Sequence, residues 1–120
     1  MDCIFCKIIQ KEIPADFLFE DSEHIAMNDI RPSAPVHILI LPKAHIESII
    51  QIEDKDKEIV SKLIYTAKDL AKKRNLTGYK LVFNVGKDGG QVIPHLHLHL
   101  LGGWIDKKSI ESMSHKILDK

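Results

Sequence analysis

Imidazoles stand at every second position of the run Pro94-His95-Leu96-His97-Leu98-His99-Leu100-Leu101. In an extended strand side chains alternate between faces, so His95, His97 and His99 point one way and Leu96, Leu98 and Leu100 the other. A rise of ~3.3 Å per residue anchors imidazoles two apart at ~6–7 Å from each other, and one small anion can touch all three. Imidazole titrates near neutral pH, so such a row supplies a nucleophile, a proton donor and a cationic hydrogen-bond donor to a phosphate. The same spacing lets neutral imidazoles share a zinc ion, and a half-buried strand turns polar residues to water by default. Phosphate chemistry, a metal patch and a solvated face all stay open on spacing alone.

The second cluster of reactive side chains is Cys3-Ile4-Phe5-Cys6, which holds the only two cysteines of the chain. A Cys-x-x-Cys pair is a poor disulfide framework and a better half of a metal site. A redox motif of the thioredoxin kind needs a preceding strand, and the sequence offers none before Cys3. His24 and His115 have no evident chemical neighbour and are expected on the surface.

The elements that must carry these groups follow from the hydrophobic pattern. Ile4 to Ile9 reads as a short helical turn, broken by Lys11-Glu12-Ile13-Pro14-Ala15. Phe17–Glu20 and His24–Met27 read as two strands joined at Asp21-Ser22, a hairpin. After the proline-punctuated loop Asp29–Pro35, Val36–Leu41 is a β-branched strand stopped by Pro42. It is apolar on both faces except at His37, which predicts a central place in a sheet. Between Asp54 and Arg74, Ile59, Leu63, Ile64, Ala67, Leu70 and Ala71 recur at helical spacing, with acids in the first turn and Lys72, Lys73 and Arg74 in the last. A strand over Tyr79–Val85, a glycine turn over Gly86–Gln91 and the histidine strand complete the sheet, the last two strands pairing antiparallel. Ile110, Met113, Ile117 and Leu118 predict an amphipathic tail helix over Lys107–Lys120.

With 120 residues, 44% of them hydrophobic, the chain has enough apolar material for one compact domain and too little for two of ordinary size. Seventeen basic and seventeen acidic residues cancel, so no basic field draws it to nucleic acid or a membrane. An anionic ligand must therefore be held by local donors. The first residues lack the basic start, long apolar stretch and small-residue cleavage site of a targeting segment, and the expectation is a soluble, cytoplasmic protein.

The alternating histidines, preceded by Gly89-Gly90-Gln91, resemble the histidine-triad (HIT) nucleotide-binding family, and within it the histidine-triad nucleotide-binding (HINT-like) branch. The resemblance extends to Cys3-Ile4-Phe5-Cys6-Lys7-Ile8-Ile9, Ile13-Pro14-Ala15, Phe19-Glu20-Asp21, Asp29-Ile30-x-Pro32-x-Ala34-Pro35-x-His37, Pro42-Lys43-x-His45-Ile46, Asn84-x-Gly86 and Leu101-Gly102-Gly103. It implies an α+β fold: a five-stranded antiparallel sheet, one long helix, a short N-terminal helix and, here, a C-terminal tail helix. It places the core in residues 1–103, with 104–120 as a variable tail of a single domain, and it implies a homodimer.

The same resemblance assigns roles. His97 attacks the α-phosphorus of a nucleoside 5′-phosphoramidate, such as that of AMP or GMP, and the nucleotidyl-histidine is then hydrolysed. The backbone carbonyl of His95 accepts a hydrogen bond from the other ring nitrogen and sets the tautomer, His99 contacts phosphate oxygens, and His37 supports the row. Asp29 accepts from the ribose hydroxyls, Asn84 reaches the phosphate or leaving group, and Gly89 and Gly90 let backbone N–H groups approach the phosphate, with Gln91 and Val92 following. Phe5, Ile8, Ile13, Met27 and Ile30 match the wall that receives a purine. Cys3, Cys6, His45 and His95 match a structural zinc set, and the chemical step itself needs no cofactor.

Val92 departs from the pattern, since many phosphoramidases carry a serine there, and its hydroxyl is thought to help bind or protonate the leaving amine. Arg31 and Asn28 also differ from the commonest residues at the pocket edge. Two other activities stay on the table: hydrolysis of dinucleoside polyphosphates by the same nucleophile, and a nucleotide-binding adaptor that turns nothing over.

Overall fold

The computed structural model describes residues 3–105, and the tail helix expected over Lys107–Lys120, with His115, lies outside them. Helix α1, Ile4–Ile9, begins where the Cys3 thiol accepts from the Cys6 N–H, so a cysteine that the sequence reads as a metal ligand also caps the helix. Strands β1, Phe17–Glu20, and β2, His24–Asn28, are joined by a turn in which the Asp21 carboxylate accepts from the Glu23 and His24 N–H groups, at 2.8 Å each. Strand β3 spans Val36–Pro42. Two short 3-10 turns lead into α2, Lys57–Lys73, and β4, Tyr79–Val82, and β5, Leu98–Gly102, finish the sheet.

The five strands are antiparallel in the order β1-β2-β3-β5-β4, which puts β3 at the centre as its two-faced apolar pattern requires. The fold is α+β. Alternation along the strands divides the core. Ala26, Ile38, Ile40, Leu98 and Leu100 face α2 and pack with its Leu63, Ala67, Leu70 and Ala71 stripe. Ile25, Met27, Leu39 and Leu41 face the other way, against Cys3, Phe5 and Ile8. Residue α-helical period and strand period thus meet in one interface, and Leu63, which is wholly buried there, would cost about 2–5 kcal/mol to truncate to alanine.

Three expectations change. The histidine strand starts at Leu98, so only His99 of the three imidazoles sits in the ladder. The partner strand explains it: β3 pairs with β5 as far as Ile40 opposite Leu98, and then runs into Pro42, which has no N–H to give. The backbone of residues 95–97 is held otherwise, the Leu96 N–H donating to the Ile46 carbonyl. Second, β4 ends at Val82, and the glycine segment, a 3-10 turn over Lys87–Gly89, belongs to a long connection instead of a tight hairpin. Third, His24 is buried, 4% exposed, because it shares the α2-facing side of β2 with Ala26. No helix among the described residues is long and apolar enough to cross a membrane.

Candidate active site and candidate metal centre

Four buried imidazoles, His37, His95, His97 and His99, and the carboxylate of Asp29 gather on the α1 side of the sheet. The His97 Nδ1–H donates to the His95 carbonyl at 2.6 Å. That bond fixes the tautomer: Nε2 carries the lone pair, and it is buried without a hydrogen-bond partner among the described residues. Burial pushes the His97 pKa below the ordinary value, against the His95 carbonyl and the Asp29 charge, so the ring is held neutral and nucleophilic. Phe5 meets the His97 ring edge-on at 5.2 Å and walls it off.

Proton positions propagate through the neighbouring pair. The Ser33 N–H donates to His37 Nδ1 at 2.9 Å, so neutral His37 keeps its hydrogen on Nε2. His37 Nε2–H then donates to His99 Nδ1 at 2.9 Å, with Asp29 Oδ2 also 3.5 Å away. His99 must therefore carry its own hydrogen on Nε2. The loop backbone at Ser33 thus orders two imidazoles in series. Asp29, His37 and His99 have ligand atoms close enough together to hold a metal ion. The proton order argues against that, because His37 Nε2 is a donor and has no lone pair for a metal while Nδ1 accepts from Ser33.

The Cys/His group has the opposite character. Ligand atoms of Cys3, Cys6, His45 and His95 lie within 4.8 Å of one another. The His95 Nε2–H donates to the Pro42 carbonyl at 2.8 Å, which leaves Nδ1 as a lone pair. That lone pair faces the Cys3 and Cys6 thiols at 3.4 and 3.6 Å and His45 Nδ1 at 3.2 Å. Burial pushes His95 down to about 4, so it stays neutral, the state a metal needs. Two thiols and two imidazoles with converging ligand atoms, one ring oriented from behind by a carbonyl, fit a tetrahedral zinc ion in donor chemistry and in supporting bonds.

The remaining predicted residues divide. Phe5, Ile8 and Met27 are buried in one cluster with Ile13 packed against it. Ile30 is 91% exposed and outside that cluster. The Gly89, Gly90 and Gln91 N–H groups donate within their own loop, to Gly86, Lys87 and Gly86 carbonyls, so the expected phosphate donors are already committed. What glycine supplies here is conformation: Gly86 and Gly90 have φ of 70° and 87°. Gln91 ties the loop down, accepting from the Gly86 N–H and donating to the Glu47 and Ile93 carbonyls. Val92 follows with its side chain 66% exposed. Asn84 is half-buried, two residues beyond β4. Sequence reasoning missed Ser33, whose role is carried by its backbone and leaves no mark in the residue type.

Residues 2–115 match the family model described as "Scavenger mRNA decapping enzyme C-term binding". Protein HitA of Neisseria gonorrhoeae is 42% identical over 102 residues, covering 84% of this chain and 95% of that protein. This chain belongs to the histidine-triad family. A solved HIT family hydrolase from Legionella pneumophila is 51% identical and superimposes with a TM-score of 0.83, over 87% of this chain and 95% of its own. A histidine-triad family protein from Mycobacterium smegmatis, described as Zn-bound, is 27% identical with a TM-score of 0.80, over 91% of this chain and 80% of its own. The histidine-triad fold of the hydrolases is therefore the fold of this chain.

Proposed function

We propose that this protein is a purine nucleoside phosphoramidase, a hydrolase that cleaves the P–N bond of adenosine 5′-phosphoramidate and its relatives. The observation that carries the reading is the partnerless Nε2 of a His97 whose other nitrogen donates to the His95 carbonyl. Nε2 attacks the α-phosphorus, the N–P bond to His97 forms as the substrate P–N bond breaks, and the amine departs after gaining a proton from solvent. Water then attacks the nucleotidyl-histidine, releases AMP and restores His97. Dividing the displacement in two lowers each barrier.

His99 Nε2–H, ordered through His37 and Ser33, donates to a phosphate oxygen as charge builds there. Asp29, its Oδ1 accepting from the Arg31 N–H at 2.8 Å, takes the ribose hydroxyls. Phe5, Ile8, Ile13 and Met27 give the apolar wall for the base, with Asn84 and the Val92 N–H on the phosphate side. Zinc held by Cys3, Cys6, His45 and His95 cross-links the N-terminal segment to the sheet and has no part in bond making. The protein works as a cytoplasmic homodimer.

The test is hydrolysis of adenosine 5′-phosphoramidate by the zinc-loaded protein, with diadenosine tetraphosphate as competitor. AMP release that disappears in His97→Ala supports the reading. Turnover of the dinucleotide alone assigns the protein to polyphosphate hydrolysis, and tight AMP binding with neither turnover makes it an adaptor.

A further inference from the structure

On the other side of the sheet, beneath α2, a fifth buried histidine makes contacts that the phosphoramidase reading does not use. His24 Nε2 lies 2.5 Å from the Thr66 hydroxyl, and its Nδ1 is 3.0 Å from Asp21 Oδ1. Phe19 lies against the His24 ring, with centroids 4.9 Å apart. Thr66 is itself 8% exposed, and it opens into a cleft of ≈ 390 Å³ lined by Phe19, Thr66, Asp69, Leu70, Lys72 and Lys73. That volume is in the range of small-molecule sites, ~300–1,000 Å³.

The order of protons decides what Thr66 presents. Asp21 Oδ1, 3.0 Å from Nδ1, favours the ring hydrogen there by its charge although it lies out of line for a hydrogen bond, and with the hydrogen on Nδ1 the Nε2 accepts and the Thr66 O–H donates to it. The Thr66 oxygen keeps lone pairs for a donor in the cleft. Carboxylate, imidazole and hydroxyl in series suggest an acyl-transfer nucleophile. Thr66 is in the middle of α2, however, where the helix uses the backbone N–H groups that would stabilise an oxyanion. Binding is the role left to it.

The charges around the cleft are uncommitted. Asp69 precedes Lys73 by one turn, the favourable order for a helical ion pair. Yet Asp69, Lys72 and Lys73 pair neither with one another nor with any other described residue. One acid and two bases thus surround an apolar floor of Phe19 and Leu70, with the Thr66 lone pair between them.

We propose that this cleft binds a small zwitterion with an apolar body, the chemistry of a free apolar α-amino acid. The ammonium meets Asp69 and the Thr66 oxygen, the carboxylate meets Lys72 and Lys73, and the side chain lies on Phe19 and Leu70. The site is separate from the histidine row and does not depend on what that row hydrolyses.

Amide NMR titration of the full chain tests it with L-leucine, 3-methylbutylamine and 4-methylpentanoate, which lack respectively nothing, the carboxylate and the amine. The expected result is saturable shifts at residues 19, 24 and 66–73, with each analogue about tenfold weaker than leucine. Asp69→Asn, an exposed substitution that leaves the fold alone, weakens leucine about tenfold and leaves 4-methylpentanoate unchanged. Shifts that do not saturate, equal affinity for all three compounds, or an unaffected Asp69→Asn would each overturn the proposal.

Discussion

Two groups of imidazoles lie on one face of this sheet and share a residue, yet their hydrogen bonds prepare them for opposite uses. In the row, each ring has its proton placed by a neighbour: Ser33 orders His37, His37 orders His99, and the His95 carbonyl orders His97. In the Cys/His group the Nδ1 atoms of His95 and His45 and two sulfurs converge on one another, an arrangement that suits a tetrahedral cation. Imidazole count and spacing do not distinguish a proton-ordered site from a metal site. The partner of the second nitrogen does.

The largest expected effect that separates the groups is on turnover. His97→Ala lowers phosphoramidate hydrolysis by on the order of 10³-fold or more, the usual cost of removing a nucleophile. Cys6→Ser leaves the chemical step within about tenfold once the protein is folded. Steady-state assays on both variants beside circular dichroism check this, and comparable losses would merge the two groups into one functional unit. Next in size is the effect of zinc on stability. Metal at about a hundredfold over its Kd adds ~2.7 kcal/mol, which for a chain of this size raises the Tm on the order of 10 °C. Calorimetry with and without chelator measures it, and Cys3→Ser should abolish the difference.

A smaller effect belongs to the ordered pair. His37→Ala removes the donor to His99 Nδ1 and should cost about 1–3 kcal/mol of transition-state stabilisation, roughly tenfold to a hundredfold in kcat. Zinc content should not change, as metal analysis of the same variant will show. The smallest is a titration. Because burial lowers the His97 pKa, its imidazole should take up a proton only below the ordinary ~6.5, measured by side-chain NMR on zinc-loaded protein. A His97 that is already charged at neutral pH contradicts the neutral-nucleophile reading.

Much of this arrangement was legible in the residues. The two-faced apolar run of Val36–Leu41, the alternation of histidine and leucine over residues 95–101 and the α2 stripe gave the central strand, its partner and the helix face, since burial imposes the pattern. Cys3, Cys6, His45 and His95 converge as the resemblance implies. The differences have a common cause, in that each turns on a hydrogen bond that residue type does not announce. The histidine strand is short because Pro42, more than fifty residues earlier, ends the partner ladder. Gly89 and Gly90 spend their N–H groups on loop carbonyls. His24 was expected at the surface because one histidine in a short strand has no pattern, whereas its parity with Ala26 and a threonine inside the apolar stripe of α2 together mark a buried pair.

His95 is 0% exposed and belongs to both groups: its ring faces the cysteines while its carbonyl holds the proton of His97. Under the proposed function, such sharing makes zinc and nucleotide thermodynamically linked. A nucleotide that fixes His97 also fixes the His95 backbone, and a metal that fixes the His95 ring restrains the same carbonyl. Coupling of this kind is reciprocal, so the factor by which zinc tightens nucleotide binding is the factor by which nucleotide tightens zinc. For a protein that binds zinc and nucleotide as proposed, substrate supply and metal supply act as one variable.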